Sequence, residues 1–326
     1  MKAIIIEEAG SPEVLQFRDL PNPVPSDNEV IIEQSFAGVN YGDVIRRKRG
    51  LFQLNSAGFY IPGFEGVGNI IGRGKAVKDL KIGERVIYLN ELGGGYAQHV
   101  SVNEKNVLAI PDIIPDHVAA ALPCVGATAW HLLKASKLKR GQWVLIHGAT
   151  GGVGLILTQM ALLKGARVIA VVGSENKKAI IDQYNGISIV GRFAGELSDQ
   201  VMNLTDGYGI DVIFDCVGQD VLETNMKCIH SSGQILYYGS VSGHSIFPGV
   251  QILMNSLQIQ GFNIFNTLKN KVAWQAGLKN LFTLISTGKI NVRISEVFPM
   301  SEAFKAHQLL ESRKSTGKLL LDLKKC

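Results

Sequence analysis

The sequence predicts an α/β fold in two parts, an irregular β-rich domain followed by a doubly wound domain on a parallel sheet. Three observations predict it. Up to about residue 110, short strand-like runs are punctuated by Gly and Pro at close intervals, the rhythm of an all-β unit. From about residue 118 helical and strand-like segments alternate, as βα units on a parallel sheet do. At the head of that second part, VLIHGATGGVGLILTQMALLKGARVIAVVGSE (residues 144–175) runs from an apolar stretch through clustered glycines into a long apolar-periodic stretch, then a second apolar run. A chain of 326 residues suits two domains of ordinary size.

In the first part the strand-like runs are Ala3–Ile6, Glu29–Gln34, Gly68–Ile71, Arg85–Leu89 and Tyr96–Val100, each bounded by turn residues. The proline-bearing stretch Ile110–Pro115 reads as a connection. The second part offers strands at Trp143–His147, Arg167–Val172, Ile187–Val190, Val212–Asp215, Gln234–Tyr238 and Leu257–Phe262. After Asn263 come a helix near Ala273–Ser286, strand-like Glu296–Pro299, a helix near Ser301–Glu311 and a final strand Lys318–Leu323. That tail is expected to return to the first domain, because the second is already complete. The expected domains are residues 1–117, 118–263 and, rejoining the first, 264–326.

Composition narrows the function classes. Hydrophobic residues make up 46% and charged residues 19%, with no low-complexity tract, which is the composition of a compact soluble chain. A net charge of +5, spread along the chain, argues against a dedicated nucleic-acid binder, whose basic face is concentrated. Cys124, Cys216, Cys228 and Cys326 are scattered without ligand-like spacing, so reduced thiols are expected rather than a disulfide framework. MKAIIIEEAG turns acidic after three isoleucines and lacks the apolar region of a signal peptide. The longest soft stretch, Val118 to Trp130, contains Pro123 and Gly126 and is too short to span a bilayer. A cytoplasmic location is expected.

The glycine cluster reads as a dinucleotide cradle. Between a buried strand and the helix Leu155–Lys164, the turn Gly148-Ala149-Thr150-Gly151-Gly152-Val153-Gly154 brings few side chains. Backbone N–H groups and the helix N-terminus can then approach a pyrophosphate. The spacing is G-x-x-G-x-x-G, and the strand before and helix after it carry the argument more than the motif does. An NAD-type site places Asp or Glu at the end of the second strand, to hold the ribose 2′-hydroxyl. Here that position is Gly173, followed by Ser174, with Lys177 and Lys178 close behind. A carboxylate would repel a 2′-phosphate, whereas a small residue, a hydroxyl and a lysine accept one. Glu175 is the counterargument, unless it points outward. NADPH is the expected cofactor.

Gly38-Val39-Asn40-Tyr41-Gly42-Asp43, Pro62-Gly63-Phe64-Glu65-Gly66, Lys81-Ile82-Gly83-Glu84-Arg85-Val86 and the glycine cluster resemble the medium-chain dehydrogenase/reductase superfamily over essentially the whole chain. The resemblance implies a GroES-like β-rich catalytic domain and a Rossmann nucleotide-binding domain. Zinc alcohol dehydrogenases of that superfamily carry a cysteine where Asn40 stands and a histidine where Phe64 stands, both ligands of the catalytic metal. Phe64 cannot bind zinc, and Glu65 alone reads as a buried structural acid, so no metal is expected.

The chain is similar to the zinc-free NADPH quinone oxidoreductases, including the zeta-crystallins. It shares Asn40-Tyr41-Gly42-Asp43, the glycine turn, Asp215-Cys216-Val217-Gly218 and Gly317-Lys318. That resemblance implies that Asn40, Tyr41 and Asp43 line the nicotinamide and substrate cleft. It also implies that Thr128, Lys177, Val217, Gly218, Gly239, Ser240, Phe262 and Asn263 lie along the cofactor. Two departures matter. Leu51-Phe52 lacks the phenol that enoyl-thioester reductases use, and a tyrosine near the adenosine phosphate is replaced by Arg192 or Phe193. An arginine there still favours a 2′-phosphate.

Without a metal, hydrogen-bond donors must stabilise the negative charge that hydride transfer pushes onto a carbonyl oxygen. Tyr41 is the expected donor, Asn40 the orienting residue, and Asp43 a holder of water or a neighbour. Asn40 as a cap and Asp43 as a helix-start carboxylate are the structural alternatives. Arg46-Arg47-Lys48-Arg49 is either a solvated helical face or an attractor of anionic substrates. His147 reads as a packed strand-end residue, while His99 and His131 have no identifiable partner. Ser256–Phe262 alternates as an edge strand, which two-fold pairing in a homodimer would cover. The expected activity is hydride transfer from NADPH to quinones or related α,β-unsaturated carbonyls. The alternatives are an enoyl-thioester or alkenal reductase and a low-turnover NADPH-binding sensor or structural protein.

Overall fold

The computed structural model describes residues 1–192 and 196–325. The replacement at Phe193 and the thiol of Cys326 lie outside the described residues. The chain forms two compact units, residues 1–127 with 265–326, and residues 128–264.

In the first unit β1 (Lys2–Ile5) and β2 (Gln16–Asp19) form an antiparallel ribbon. There follow β3 (Glu29–Val39), α1 (Tyr41–Arg49), β4 (Glu65–Arg73), β5 (Arg85–Leu89), β6 (His99–Asn103), β7 (Val107–Ala109) and α2 (Asp116–Ala119). Strand β3 runs five residues past the expected Gln34, because its polar interruption is satisfied by tertiary partners. Gln34 Nε2 donates to the Ala97 carbonyl at 2.7 Å and the Tyr88 hydroxyl donates to Gln34 Oε1 at 2.7 Å. The Ser35 hydroxyl donates to Asp116 at 2.8 Å. Bulges between Ile31 and Ile32 and between Gln34 and Phe36 accommodate them in the pairing with β4. The expected strand Tyr96–Val100 is displaced: β6 starts at His99, and the Tyr96 carbonyl instead accepts the Ile4 N–H at 2.8 Å.

In the second unit α3 (Ala127–Ser136) leads into β8 (Trp143–Ile146), α4 (Gly152–Leu163), β9 (Arg167–Val172), α5 (Lys178–Ile181) and β10 (Ile187–Gly191). After them come α6 (Leu197–Leu204), β11 (Ile210–Asp215), α7 (Gln219–Cys228), β12 (Ile229–Tyr237), α8 (Gly249–Met254) and β13 (Gln258–Gly261). All strand pairs are parallel, in the order β10-β9-β8-β11-β12-β13. This doubly wound order reverses direction at β8, which opens a crevice at the carboxyl ends of the strands. Leu145, Ile169, Ile213 and Ile235 form the core of this unit.

The chain then returns to the first unit with α9 (Lys271–Ser286), β14 (Ile294–Pro299), α10 (Ala303–Glu311) and β15 (Lys318–Asp322). Strand β15 pairs antiparallel with β3, Leu319 opposite Val39, and parallel with β14. Its Leu319 and Leu321 join Ile4, Ile6, Val39 and Tyr96 in one core cluster. Residues 118–127 group with this unit, where the Cys124 N–H donates to Glu65 Oε2 at 2.7 Å. Among the described residues no helix is long and apolar enough to cross a membrane.

Candidate functional site

The second unit presents its chemistry along the carboxyl edge of its sheet. After β8, Gly148 takes φ +61° and its carbonyl accepts the Gly151 N–H at 2.9 Å, closing the turn. Helix α4 starts at Gly152, three residues earlier than expected, so Gly152, Val153 and Gly154 form its first turn. Their N–H groups have no acceptor within the helix and face the turn with the positive end of the helix dipole. Gly154 is obligatory for packing. A Cβ there would stand 2.3 Å from the Gly148 carbonyl oxygen and 2.7 Å from Ala149 Cα. Ala149 is tied back to β9 through the Val171 carbonyl at 3.3 Å, and Thr150 is buried.

At the end of β9, Gly173 is exposed, with nothing within 4 Å of where a Cβ would stand. Ser174 and Lys177 are half-buried, and burial holds the Lys177 ammonium below its usual range. Glu175 pairs with Lys178 at 2.7 Å, so the one carboxylate in this loop is already countered by a cation. Exposed Arg192 follows β10, and its N–H donates to the Val172 carbonyl at 3.2 Å, placing its backbone beside the end of β9.

After β11, buried Asp215 organises the next loop. Its Oδ1 accepts the N–H groups of Val217 (2.7 Å) and Gly218 (3.0 Å). Its Oδ2 accepts Asn225 Nδ2 at 3.1 Å, and Asn225 Oδ1 pairs with His147 Nε2 at 2.7 Å. His147 is therefore an internal support, and burial holds it below its usual pKa. Gly218, at φ +94°, lets this loop meet the segment after β12: a Cβ would stand 2.3 Å from the Gly243 carbonyl oxygen. Gly239 and Ser240 lie in that segment, half-buried. Past β13, Phe262 stacks on His131 at 6.3 Å and Asn263 is exposed. Thr128 is buried at the start of the unit. The turn residues, Gly173, Ser174, Lys177, Arg192, Val217, Gly218, Gly239, Ser240, Phe262 and Asn263 thus all follow the carboxyl ends of strands. These donors, glycines and cations fit a dinucleotide.

The first unit holds a second constellation around α1. Tyr41, half-buried, is the first residue of the helix. Asn40 and Asp43 are both buried, Asp43 to 2% exposure. Asp43 Oδ2 accepts the Asn40 N–H at 2.8 Å and the Tyr96 hydroxyl at 3.2 Å, while Oδ1 is buried without a partner. Burial raises the Asp43 pKa to about 7, against the lowering effects of the Asn40 N–H and Lys318. It is thus a helix-start carboxylate in a closed network, with no exposed face to offer an acceptor. Asn40 Nδ2 donates to Glu65 Oε1 at 2.8 Å, and Lys318 Nζ donates to both Asn40 Oδ1 (2.5 Å) and Glu65 Oε1 (2.6 Å). Phe64 is packed edge-on against Phe265. A hydrocarbon ring, a committed carboxamide and a resident ammonium do not fit a catalytic metal.

The basic run divides residue by residue. Arg47 is 0% exposed, pairs with Glu311, and meets His307 Nδ1 at 3.3 Å. His307 Nε2 lies 3.1 Å from the Tyr96 hydroxyl, and burial, then Arg47, hold its pKa down to about 3. Arg46 lies over Phe64 at 4.5 Å and donates to the Glu91 carbonyl at 2.7 Å, and Lys48 shares Glu311. The run is neither a simple solvated face nor four free cations. Phe52 stacks on Tyr60 at 5.1 Å beside a groove of about 880 Å³ within this unit. His99 does have a partner, Asn22 Oδ1 at 3.0 Å from its Nδ1. Lys318, Tyr96, His307 and Glu311 escaped the sequence reading; only the Gly317-Lys318 pair carried any local signal.

Residues 26–112 match the family described as alcohol dehydrogenase GroES-like domain, and residues 152–282 the one described as zinc-binding dehydrogenase. A probable quinone oxidoreductase of Schizosaccharomyces pombe is 33% identical over 97% of this chain and 95% of its own. Quinone oxidoreductase 1 of Escherichia coli is 30% identical over 96% of each. The structure of Escherichia coli quinone oxidoreductase complexed with NADPH superposes with a TM-score of 0.93 at 28% identity, covering 99% of this chain and 100% of that one. With these relatives matched from end to end, and with a doubly wound sheet bearing the glycine turn, the chain belongs to the quinone oxidoreductase family of the medium-chain dehydrogenases/reductases.

Proposed function

We propose that this protein is an NADPH-dependent quinone oxidoreductase, passing hydride to quinones or related α,β-unsaturated carbonyls without a metal. The observation that carries the reading is the end of β9, where Gly173 offers no carboxylate and Arg192 lies beside it. When bound, NADPH supplies the hydride. The glycine turn and the first N–H groups of α4 hold the pyrophosphate. Ser174, Lys177 and Arg192 receive the 2′-phosphate, and Thr128, Val217, Gly218, Gly239, Ser240, Phe262 and Asn263 line the rest of the nucleotide. Tyr41 donates its phenolic O–H to the acceptor oxygen that gains negative charge. Asn40 and Asp43 act from inside the first unit by defining the start of α1.

The reading includes a homodimer and a cytoplasmic location. Strand β13 is one of the two outer strands of its sheet, and α8 just before it leaves Val250, Leu253 and Met254 at 76–77% exposure. An unprotected sheet edge of this kind pairs readily, and two-fold pairing with a second copy covers it. Sedimentation at micromolar concentration is expected to give the dimer mass, and a monomer refutes the pairing. Free thiols at Cys124, Cys216 and Cys228 suit a reducing compartment.

The test of activity is NADPH oxidation measured in parallel with benzoquinones, naphthoquinones, enones and enoyl thioesters, with NADH as the control. Quinones with NADPH are expected to turn over fastest. Oxidation by enoyl thioesters alone replaces the reading with an enoyl-thioester reductase. Tight NADPH binding with negligible oxidation by any acceptor leaves a sensor or structural protein.

A further inference from the structure

We propose that Lys318 is a positioning residue for the reductase reaction, its buried ammonium holding the Asn40 carboxamide and, through it, the first turn of α1 that carries Tyr41. The inference rests on the reductase reading for its kinetic part only.

Three segments distant in sequence meet at this ammonium. Lys318 opens β15, Glu65 opens β4, and Asn40 is the residue before α1. Lys318 is 3% exposed and Glu65 0%. Lys318 Nζ, Asn40 and Glu65 Oε1 form a closed triangle of contacts at 2.5, 2.6 and 2.8 Å. Glu65 has no freedom left, because its Oε2 accepts the Cys124 N–H.

The triangle determines which way the Asn40 amide faces. Its oxygen accepts from an ammonium and its NH₂ donates to a carboxylate. Flipped, the NH₂ would face the ammonium and the oxygen the carboxylate, and both contacts would become repulsive. The backbone of Asn40 is held as well, its N–H donating to Asp43 Oδ2 at 2.8 Å. With both side chain and main chain fixed, the next residue, Tyr41, leaves Asn40 in one direction. A buried ion pair is weak evidence for stability, since a well-packed apolar pair often serves as well. An apolar pair offers nothing to orient a carboxamide, and that is the task left for Lys318.

The experiment compares Lys318→Arg, Lys318→Met and the double variant Lys318→Met/Glu65→Gln. The double variant removes the carboxylate that Lys318→Met leaves buried and uncompensated, so folding is retained if the single variant fails. One arm measures amide hydrogen exchange of the nucleotide-free protein and needs no activity. Faster exchange confined to residues 40–50 in the double variant, restored toward normal in Lys318→Arg, is the expected result. Unchanged exchange there, or a uniform rise over the whole first unit, overturns the positioning role.

The second arm measures kcat and KM for 1,4-benzoquinone together with NADPH affinity. The double variant is expected to lose on the order of 10²-fold in kcat, the size of effect that a misplacement of about 1 Å produces, with NADPH affinity within twofold of normal. Adding Asn40→Ala to it is expected to cost nothing further, because the two residues act as a unit. An unaltered kcat, or a full additional loss from Asn40→Ala, overturns the proposal. If the unmodified protein reduces no quinone, the reductase reading fails while the exchange arm still decides what Lys318 holds.

Discussion

Replacing Asp43 by Asn should change how the stability of the protein depends on pH, and the direction follows from burial. Asp43 is 2% exposed, one of its oxygens has no partner, and its pKa stands at about 7 against 3.8 for the free side chain. Between those values the folded protein keeps a proton that the unfolded chain has released. The folded state therefore binds more protons over that interval, and stability falls as pH rises through it. The contribution is fully present below about pH 4 and lost above about pH 7, a total of about 4 kcal/mol at 1.36 kcal/mol per pKa unit.

Asparagine keeps an oxygen where the Asn40 N–H and the Tyr96 hydroxyl donate, and carries no charge. Urea unfolding of the nucleotide-free protein at pH 5, 6, 7 and 8 reads the difference. Wild type should lose about 2 kcal/mol relative to Asp43→Asn between pH 5 and 7 and a few tenths more by pH 8, above which the two run parallel. His307, held neutral down to about pH 3, is present in both proteins and cancels. If the gap between the two proteins is constant from pH 5 to 8, Asp43 does not titrate there and the burial argument is wrong.

Three further outcomes are expected. Gly173→Asp has room for its side chain and should weaken NADPH by about 1–3 kcal/mol while sparing NADH; equal loss of both, by fluorescence titration, contradicts the 2′-phosphate reading. Gly154→Ala forces a Cβ against the Gly148 carbonyl and should cost about 1–3 kcal/mol of stability together with NADPH affinity, and full retention of both would show that the turn yields without loss. Tyr41→Phe should slow turnover by about ten- to a thousandfold with NADPH affinity nearly unchanged, more for enones than for quinones, whose aromatic product already delocalises the charge. Unaltered rates with both acceptors would make Tyr41 a wall residue.

Much of this protein is legible in its sequence because the signals are local. Strand β9 needs a run of apolar residues between Gly165 and Gly173, and both bounds stand at the expected residues, Arg167–Val172. The glycine turn is equally local, since the backbone approach it permits is a property of the seven residues themselves. The strand that ends at Gly173 places the position that discriminates a 2′-phosphate within the same stretch.

What the sequence does not reveal is which polar side chains find each other. Arg46-Arg47-Lys48-Arg49 reads as one basic block, yet Arg47 is wholly buried against Glu311 and His307, residues more than 250 positions away. Asp43 reads as a holder of water or a neighbour, or as a helix-start carboxylate, and only the fold supplies the Tyr96 hydroxyl that, with the Asn40 N–H, encloses it. Lys318 becomes the partner of Asn40 only because β15 pairs antiparallel with β3 and brings residue 318 beside the end of that strand. Apolar periodicity and glycine turns are written along the chain and determined the two-part α/β fold and its nucleotide cradle. Buried charge is decided by partners that only tertiary pairing supplies, because a charge away from water persists only where a distant residue neutralises it.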